Sequence, residues 1–216
     1  MRLLAALIPA LLPLPAFACG AAVCLVDPDD LVLPDVITFD ETRAGYGPGY
    51  PVDDVLALEG ARFGQHFAGQ RIATRGTHDA VEGAAYGPLT LETGPEGQNL
   101  SVVNFMGLTV LNGYGHAGFP KRDAQGEGAI AILFDRDQSA LSLDVRGGED
   151  GQARVLFLRR DGSVLAHVPV SPVGEFAFGF IHARGLAEIA GVVVINTDPQ
   201  GIAIDTIRFG KLPDLS

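Results

Sequence analysis

The sequence predicts an all-β fold, an antiparallel β-sandwich (jelly roll) over residues 36–210, and three observations predict it. The 28 glycines and 14 prolines are scattered between short apolar segments and not gathered into one linker. That is the rhythm of many strands joined by turns. Where periodicity is clear, it is that of a strand. Leu141, Leu143 and Val145 alternate with Ser142, Asp144 and Arg146, and Phe176, Phe178 and Phe180 repeat the same two-residue period. Helical periodicity is almost missing, with one short helical turn expected over 183–189.

Residues 19–35 read as a lead-in, with Asp27-Pro28-Asp29-Asp30 breaking regular structure. Strands are expected near 36–39, 55–58, 61–67 and 71–73, with a long Gly/Pro/Tyr loop over 43–54 and an irregular stretch over 74–98. The second half is clearer, with strands near 100–105, 108–111, 128–134, 139–146, 153–160, 163–170, 175–181, 191–196 and 202–209. Between two of these, Asp161-Gly162 supplies a hairpin turn, since this pair accepts positive φ. Ile, Val, Leu and Phe recur on nearly every strand. Burying each contributes about 1.5–3 kcal/mol, so a chain of this length can offset its ordering entropy without help from cysteines.

The first 18 residues have the parts of a secretory signal: basic Arg2, an apolar run and a terminal Ala16-Phe17-Ala18. The run is shorter than the ~20 apolar residues a span needs, and three prolines interrupt it. Cleavage after Ala18 is expected, leaving no transmembrane anchor and placing the product outside the cell or in the periplasm. Cys19 then opens the mature chain. A Cys19–Cys24 disulfide suits an exported protein. The alternative is a lipid on Cys19, although Ala16 and Phe17 stand where a lipobox carries leucine and a small residue. Residues 211–216 form a short tail.

The formal net charge of the chain is −11, with lysine only at 121 and 211. This excludes nucleic acid as an expected partner, because phosphate-backbone binding requires a basic surface. Catalytic signatures are lacking too. No serine lies in a GxSxG elbow, and the five histidines (His66, His78, His116, His167, His182) form neither HExxH nor HxH. Asn99-Leu100-Ser101 matches a glycosylation acceptor, which matters only in a eukaryotic secretory host. Candidate ligand contacts are the tyrosines Tyr46, Tyr50, Tyr86 and Tyr114, all in Gly/Pro-rich surroundings, together with His116. Exposed rings can pack on the apolar face of a sugar; the plainer reading is that they cover the loop ends of the sandwich.

Asp40 and Glu41 close the first strand, and Asp205 interrupts an apolar last strand. An acid there needs a partner or an exposed edge. The three are candidate ligands of a structural calcium ion, which prefers several oxygen ligands. The rival reading is an exposed Asp205 paired with an arginine such as Arg208.

Three segments, Ile37-Thr38-Phe39-Asp40-Glu41, Gly60-Ala61-Arg62-Phe63-Gly64 and Ile204-Asp205-Thr206-Ile207-Arg208-Phe209, resemble the galactose-binding-like jelly-roll domains of secreted bacterial proteins. Such domains occur in carbohydrate-binding modules and in exported proteins, some bearing PEP-CTERM sorting tails. The resemblance implies a structural calcium where first and last strands meet, at Asp40, Glu41 and Asp205. The chain departs from the pattern in having no tryptophan and no hydrophobic sorting tail. The expectation is a secreted, non-catalytic sandwich whose partner is a glycan or a cell-surface component. The alternatives are a polysaccharide hydrolase or lyase using Tyr114, His116 and loop acids, and a structural or matrix protein acting through protein contacts.

Overall fold

The computed structural model describes residues 19–148 and 151–212. The expected signal peptide (1–18), the acidic pair Glu149 and Asp150, and residues 213–216 of the tail lie outside the described residues. The chain begins with β1 (Val23–Val26), β2 (Asp35–Ile37), β3 (Tyr50–Val52), β4 (Leu56–Leu58) and β5 (Ala61–Gly64). Then come β6 (His66–Phe67), β7 (Arg71–Arg75), β8 (His78–Glu82) and β9 (Leu91–Glu92). The middle of the chain forms β10 (Leu100–Phe105), β11 (Leu108–Gly113), β12 (Ile130–Gln138) and β13 (Ala140–Gly147). The last strands are β14 (Ala153–Leu158), β15 (Val164–Val170), β16 (Phe176–His182), β17 (Ile189–Asn196) and β18 (Ile202–Gly210).

These strands build the predicted antiparallel sandwich. One sheet has eight strands in the order β1-β16-β13-β18-β11-β10-β3, with β2 also on β18; the other has six, in the order β15-β14-β17-β12-β5-β4. From β11 onward the chain crosses between sheets, as in a jelly roll. Strand β18 divides one edge between two partners: Ala203 and Ile204 pair with β11, while Ile207, Arg208 and Phe209 pair with β2. The first strand of the predicted domain and its last strand therefore meet.

Period-two alternation puts Leu141, Leu143 and Val145 of β13, as expected, into the layer between the sheets, facing Ile132, Phe134, Val192 and Val194. Aromatic pairs are part of the same layer: Phe134–Phe209 with centroids 5.0 Å apart, Phe157–Phe180 at 5.1 Å and Phe39–Phe63 at 5.5 Å. The six-stranded sheet is also covered outside. Ala131, Leu133, Leu156, Leu158, Val193 and Ile195 pack beneath Phe67, Ala85 and Leu89. Every residue of β17 is consequently buried. Its unbroken Val192-Val193-Val194-Ile195 run is what burial on both faces demands.

The eight-stranded sheet is covered outside in part: Leu31, Leu33 and Leu212 pack over Cys24, Ala140 and Ile181, and the loop from Gly45 runs along β10, so that Ser101 and Asn112 are buried while Arg146 keeps some solvent contact. Residues 183–189, expected as a helical turn, are instead a turn leading into β17. Part of the expected lead-in is a strand, since β1 pairs with β16. The stretch expected to be irregular, 74–98, contains β8 and β9, which form two ribbons with β7 and β6, strands that fall where 71–73 and 61–67 were expected. Strands β3, β6 and β9 are only two or three residues long, too short for a period to register. The turn at 161–162 is as predicted, with Gly162 at φ 83° and Gly162 N–H donating to Arg159 O at 3.0 Å. Cys19 and Cys24 are joined by a disulfide, their Cα atoms 5.7 Å apart. Among the described residues, no helix is long and apolar enough to cross a membrane.

Candidate functional site

Cross-strand register lines up a largely buried row, polar but for Ala203, on the outer face of the eight-stranded sheet. Ser101 lies opposite Asn112, Asn112 opposite Ala203, and Ala203 opposite Arg146, so the row crosses β10, β11, β18 and β13. Val103, Val110 and Ala203 pack together as an apolar floor beside it. Around this floor lies a groove of about 410 Å³, walled by Asn104, Phe105, Arg122, Gln125, Glu175 and Gln200. Its volume is within the range of small-ligand clefts, roughly 300–1,000 Å³.

Arg146 is the organising side chain. Its Nε and Nη2 donate to Asp205 Oδ2 at 3.1 and 2.8 Å, and its Nη1 donates to Glu175 Oε2 at 3.2 Å. The Asp205 carboxylate raises the arginine pKa still further, so the guanidinium stays charged. Asp205 is almost buried, whereas Glu175 is two-thirds exposed (67 %). One acid thus fixes the arginine from below, and the other reaches it from the solvent side.

A bulge produces this geometry. Between the pairs Val145–Ile204 and Leu143–Ile207, β13 contributes only Asp144 where β18 contributes both Asp205 and Thr206. Bulges re-aim side chains, and here Asp205 turns to its diagonal neighbour Arg146. The rival reading, an exposed Asp205 paired with an arginine such as Arg208, is met in the kind of partner and corrected in the rest: the arginine is Arg146 and the aspartate is almost buried. Arg208 faces Asp144 at 3.4 Å instead. Nor do the three predicted calcium ligands converge: Asp40 and Glu41 are exposed, and Asp205 is committed to Arg146. Among the described residues no group of three His, Cys, Asp or Glu side chains is placed to hold a metal ion. The residues present do not fit the ion.

The predicted ligand contacts separate. Tyr46 is 81 % exposed in the loop beside the groove, next to the lining residue Gly47. Tyr50 lies in β3, half-buried, with the Arg43 guanidinium 4.2 Å above its ring. Tyr86 is exposed on the opposite side of the molecule, in the segment that covers the six-stranded sheet. Tyr114, expected at the surface, is buried instead. Its hydroxyl donates to Pro48 O at 3.0 Å, its ring lies against Phe119, and burial pushes its pKa up to about 12. The glycines flanking it let strands approach closely, and a Cβ on Gly113 would collide with the Gly128 carbonyl oxygen. Tyr114 is thus a prop for the Tyr46 loop and a poor proton donor. His116, two residues on, is exposed.

Reasoning from sequence missed Arg146, Glu175, Gln125 and Asn112. A signal for the first existed in the alternation of β13, which puts Ser142, Asp144 and Arg146 on the outward face. A second hollow of about 520 Å³ lies between Pro34, Asp35, Glu59 and Asp135. It is lined by residues of β2, β12 and β18 and the Glu59–Gly60 turn, with Asp35, Glu59 and Asp135 beside Arg136.

No family model and no curated protein matches the chain. Among solved structures, it is similar to two variants of a family 29 carbohydrate-binding module, one with a tyrosine and one with an aspartate replaced by alanine, which probe ligand recognition by that family. Each is 12% identical with a TM-score of 0.20, over 54% of this chain and 81% or 80% of the other. An overlap so loose transfers nothing from those modules to this chain. The sandwich assignment rests on its own strands and their pairing.

Proposed function

We propose that this protein is a secreted, non-catalytic sandwich that binds a neutral glycan, or another polyhydroxylated surface component, in the groove on its eight-stranded sheet. The observation that carries this reading is the row Asn112–Ala203–Arg146 along the groove, with the arginine clamped by Asp205 and met by Glu175. A sugar hydroxyl both donates and accepts, so a site for it needs both kinds of group. Arg146, Arg122, Gln125 and Asn112 supply donors, while Glu175 and the side-chain amides supply acceptors. Arg146 and Arg122 balance Asp205 and Glu175 around the groove, which favours a neutral ligand over an anionic one. Val103, Val110 and Ala203 offer an apolar floor, and the exposed rings of Phe105 and Tyr46 stand at one end.

No calcium ion enters this reading, because Asp205 is held by Arg146. Export is supported by the sequence of residues 1–18 and by the Cys19–Cys24 disulfide. The test is retention of the purified protein on a panel of neutral plant and bacterial polysaccharides, with Arg146→Ala as the control. We expect retention by the parent protein and at least a tenfold loss in the variant, about 1.4 kcal/mol. No retention by the parent on any polysaccharide would reject the reading.

A second reading has one observation in its favour. The β10–β11 tip exposes Phe105, Met106 and Leu108 together, a surface suited to protein contacts in a matrix. Concentration-dependent self-association lost in Met106→Ser would favour it.

A further inference from the structure

Two carboxylates are buried beneath the loop that walls the groove: Asp79 is 1 % exposed and Glu127 2 %. Asp79 Oδ2 accepts from Gln65 Nε2 at 3.2 Å and from the Ala129 N–H at 3.3 Å. Its Oδ1 is buried and has no hydrogen-bond partner among the described residues. Glu127 Oε2 accepts from Thr77 Oγ1 at 3.3 Å. The titratable groups near the pair are His116 beside Asp79, and Asp198 and Asp79 beside Glu127.

The pair sits where several segments are tied. The Asp79 N–H donates to Glu127 O at 2.9 Å, joining β8 to the loop over 114–127. Gly126 O in that loop accepts from Asn196 Nδ2 at 3.0 Å and from the Ile202 N–H at 3.1 Å. The loop carries Arg122 and Gln125 into the groove, and Gln125 Nε2 donates to Gly47 O at 3.3 Å.

We propose that Asp79 and Glu127 form a proton-operated latch: protonated, they clamp the 114–127 loop against β8 and the sandwich, and ionised together, their buried like charges loosen it. Carboxylates this deep, without an opposing arginine or lysine, favour the neutral form. Burial pushes Asp79 up to about 6. It pushes Glu127 up to about 7, with Asp198 and Asp79 adding to the effect. Closed, the loop therefore binds protons that the open loop, with carboxyls near their ordinary value of about 4, does not. Opening becomes easier as pH climbs from about 4 to about 7, by up to ~tenfold per pH unit for each linked proton, and levels off above that. A consequence for ligand affinity rests on the groove being the ligand site; the latch itself does not.

Amide hydrogen exchange on the intact protein, corrected for the intrinsic pH dependence of exchange, tests the latch. Protection at the Asp79, Gly126 and Gly128 amides should fall by at least about tenfold between pH 5 and pH 7.5. Protection at Val193 in β17 should hold steady. Glu127→Gln, which keeps the shape without the titration, should remove most of the fall. The latch is overturned if protection is independent of pH, if Val193 changes equally, or if Glu127→Gln responds as the parent does. Should that variant fail to fold, the carboxyl-carbon NMR titration of Glu127 in the parent decides: a midpoint near 7 supports the latch and one below 5 overturns it. Failure to bind polysaccharide would leave all of these readouts unchanged.

Discussion

Arg146 and Asp205 meet through two hydrogen bonds to one carboxylate oxygen, at 2.8 and 3.1 Å, on the outer face of the eight-stranded sheet. They come from strands 59 residues apart in sequence, aligned diagonally across a bulge in β18. The arginine keeps some solvent contact (26 % exposed) while the aspartate has little (12 %). The pair is thus less a stabilising ion pair than a device that aims a guanidinium into the groove. Glu175, more exposed, reaches the same arginine from outside.

Removing one partner of this pair should cost more than removing both. Arg146→Ala strands an almost buried carboxylate and is expected to destabilise by about 1–3 kcal/mol. The double variant Arg146→Ala/Asp205→Asn should recover part of that loss without restoring ligand retention. Denaturant unfolding of the two singles and the double checks it, and strict additivity would contradict the coupling.

Tyr114 anchors the Tyr46 loop through Pro48 O. Tyr114→Phe keeps the ring against Phe119 and removes only the hydroxyl, so a loss of about 1 kcal/mol is expected. Ligand affinity should weaken modestly because the loop beside the groove is less well held. Thermal melts and affinity chromatography on the same preparation separate the two effects.

His182 is expected to contribute to the acid side of the stability curve. It is buried, its Nδ1 accepts from the N–H groups of Arg184 and Leu186 at 3.3 Å, and its Nε2 lies 3.6 Å from Glu188. Burial is the main cause that lowers its pKa, partly opposed by Glu188. The unfolded chain therefore takes up this proton more readily. The stabilisation is present above the ordinary histidine value of about 6.5 and is lost as pH falls below it. His182→Asn retains an acceptor near Nδ1 and should flatten the decline in melting temperature between pH 6.5 and pH 5. An unaltered acid limb would exclude His182 as its cause.

Met106 is held at φ 52° beside Gly107 at φ 89°, a two-residue turn of type I′ between the paired residues Phe105 and Leu108. Asparagine accepts that conformation far better than methionine. Met106 is 89 % exposed, so little packing would be lost. Met106→Asn should raise stability by about 0.5–1 kcal/mol. A fall in stability would show that the methionine packs in solution.

Much of the fold was legible because its signals are local. Alternation in 141–146, the Asp-Gly turn and the doubly apolar run of 192–195 each depend on neighbours in the chain. Even the bulge left a trace. The inward residues Ile204, Ile207 and Phe209 break strict two-residue spacing between 204 and 207. What this meant for Asp205 was not legible, because its partner is chosen by register with β13. The tyrosines misled for a related reason. Glycine-rich surroundings announce a close approach of backbones, and at Tyr114 the approaching backbone covers the ring instead of exposing it.

The sequence alone determined the class of fold, most of the strands and an acidic chain unsuited to nucleic acid, all consequences of composition and short-range period. Only the tertiary structure decided which part of the outer face stays reachable, that Asp205 pairs with Arg146, and that Asp79 and Glu127 are both buried. Those outcomes depend on pairing between strands tens of residues apart and on which segment covers which sheet. Side-chain burial and charge proximity arise only once that pairing is made.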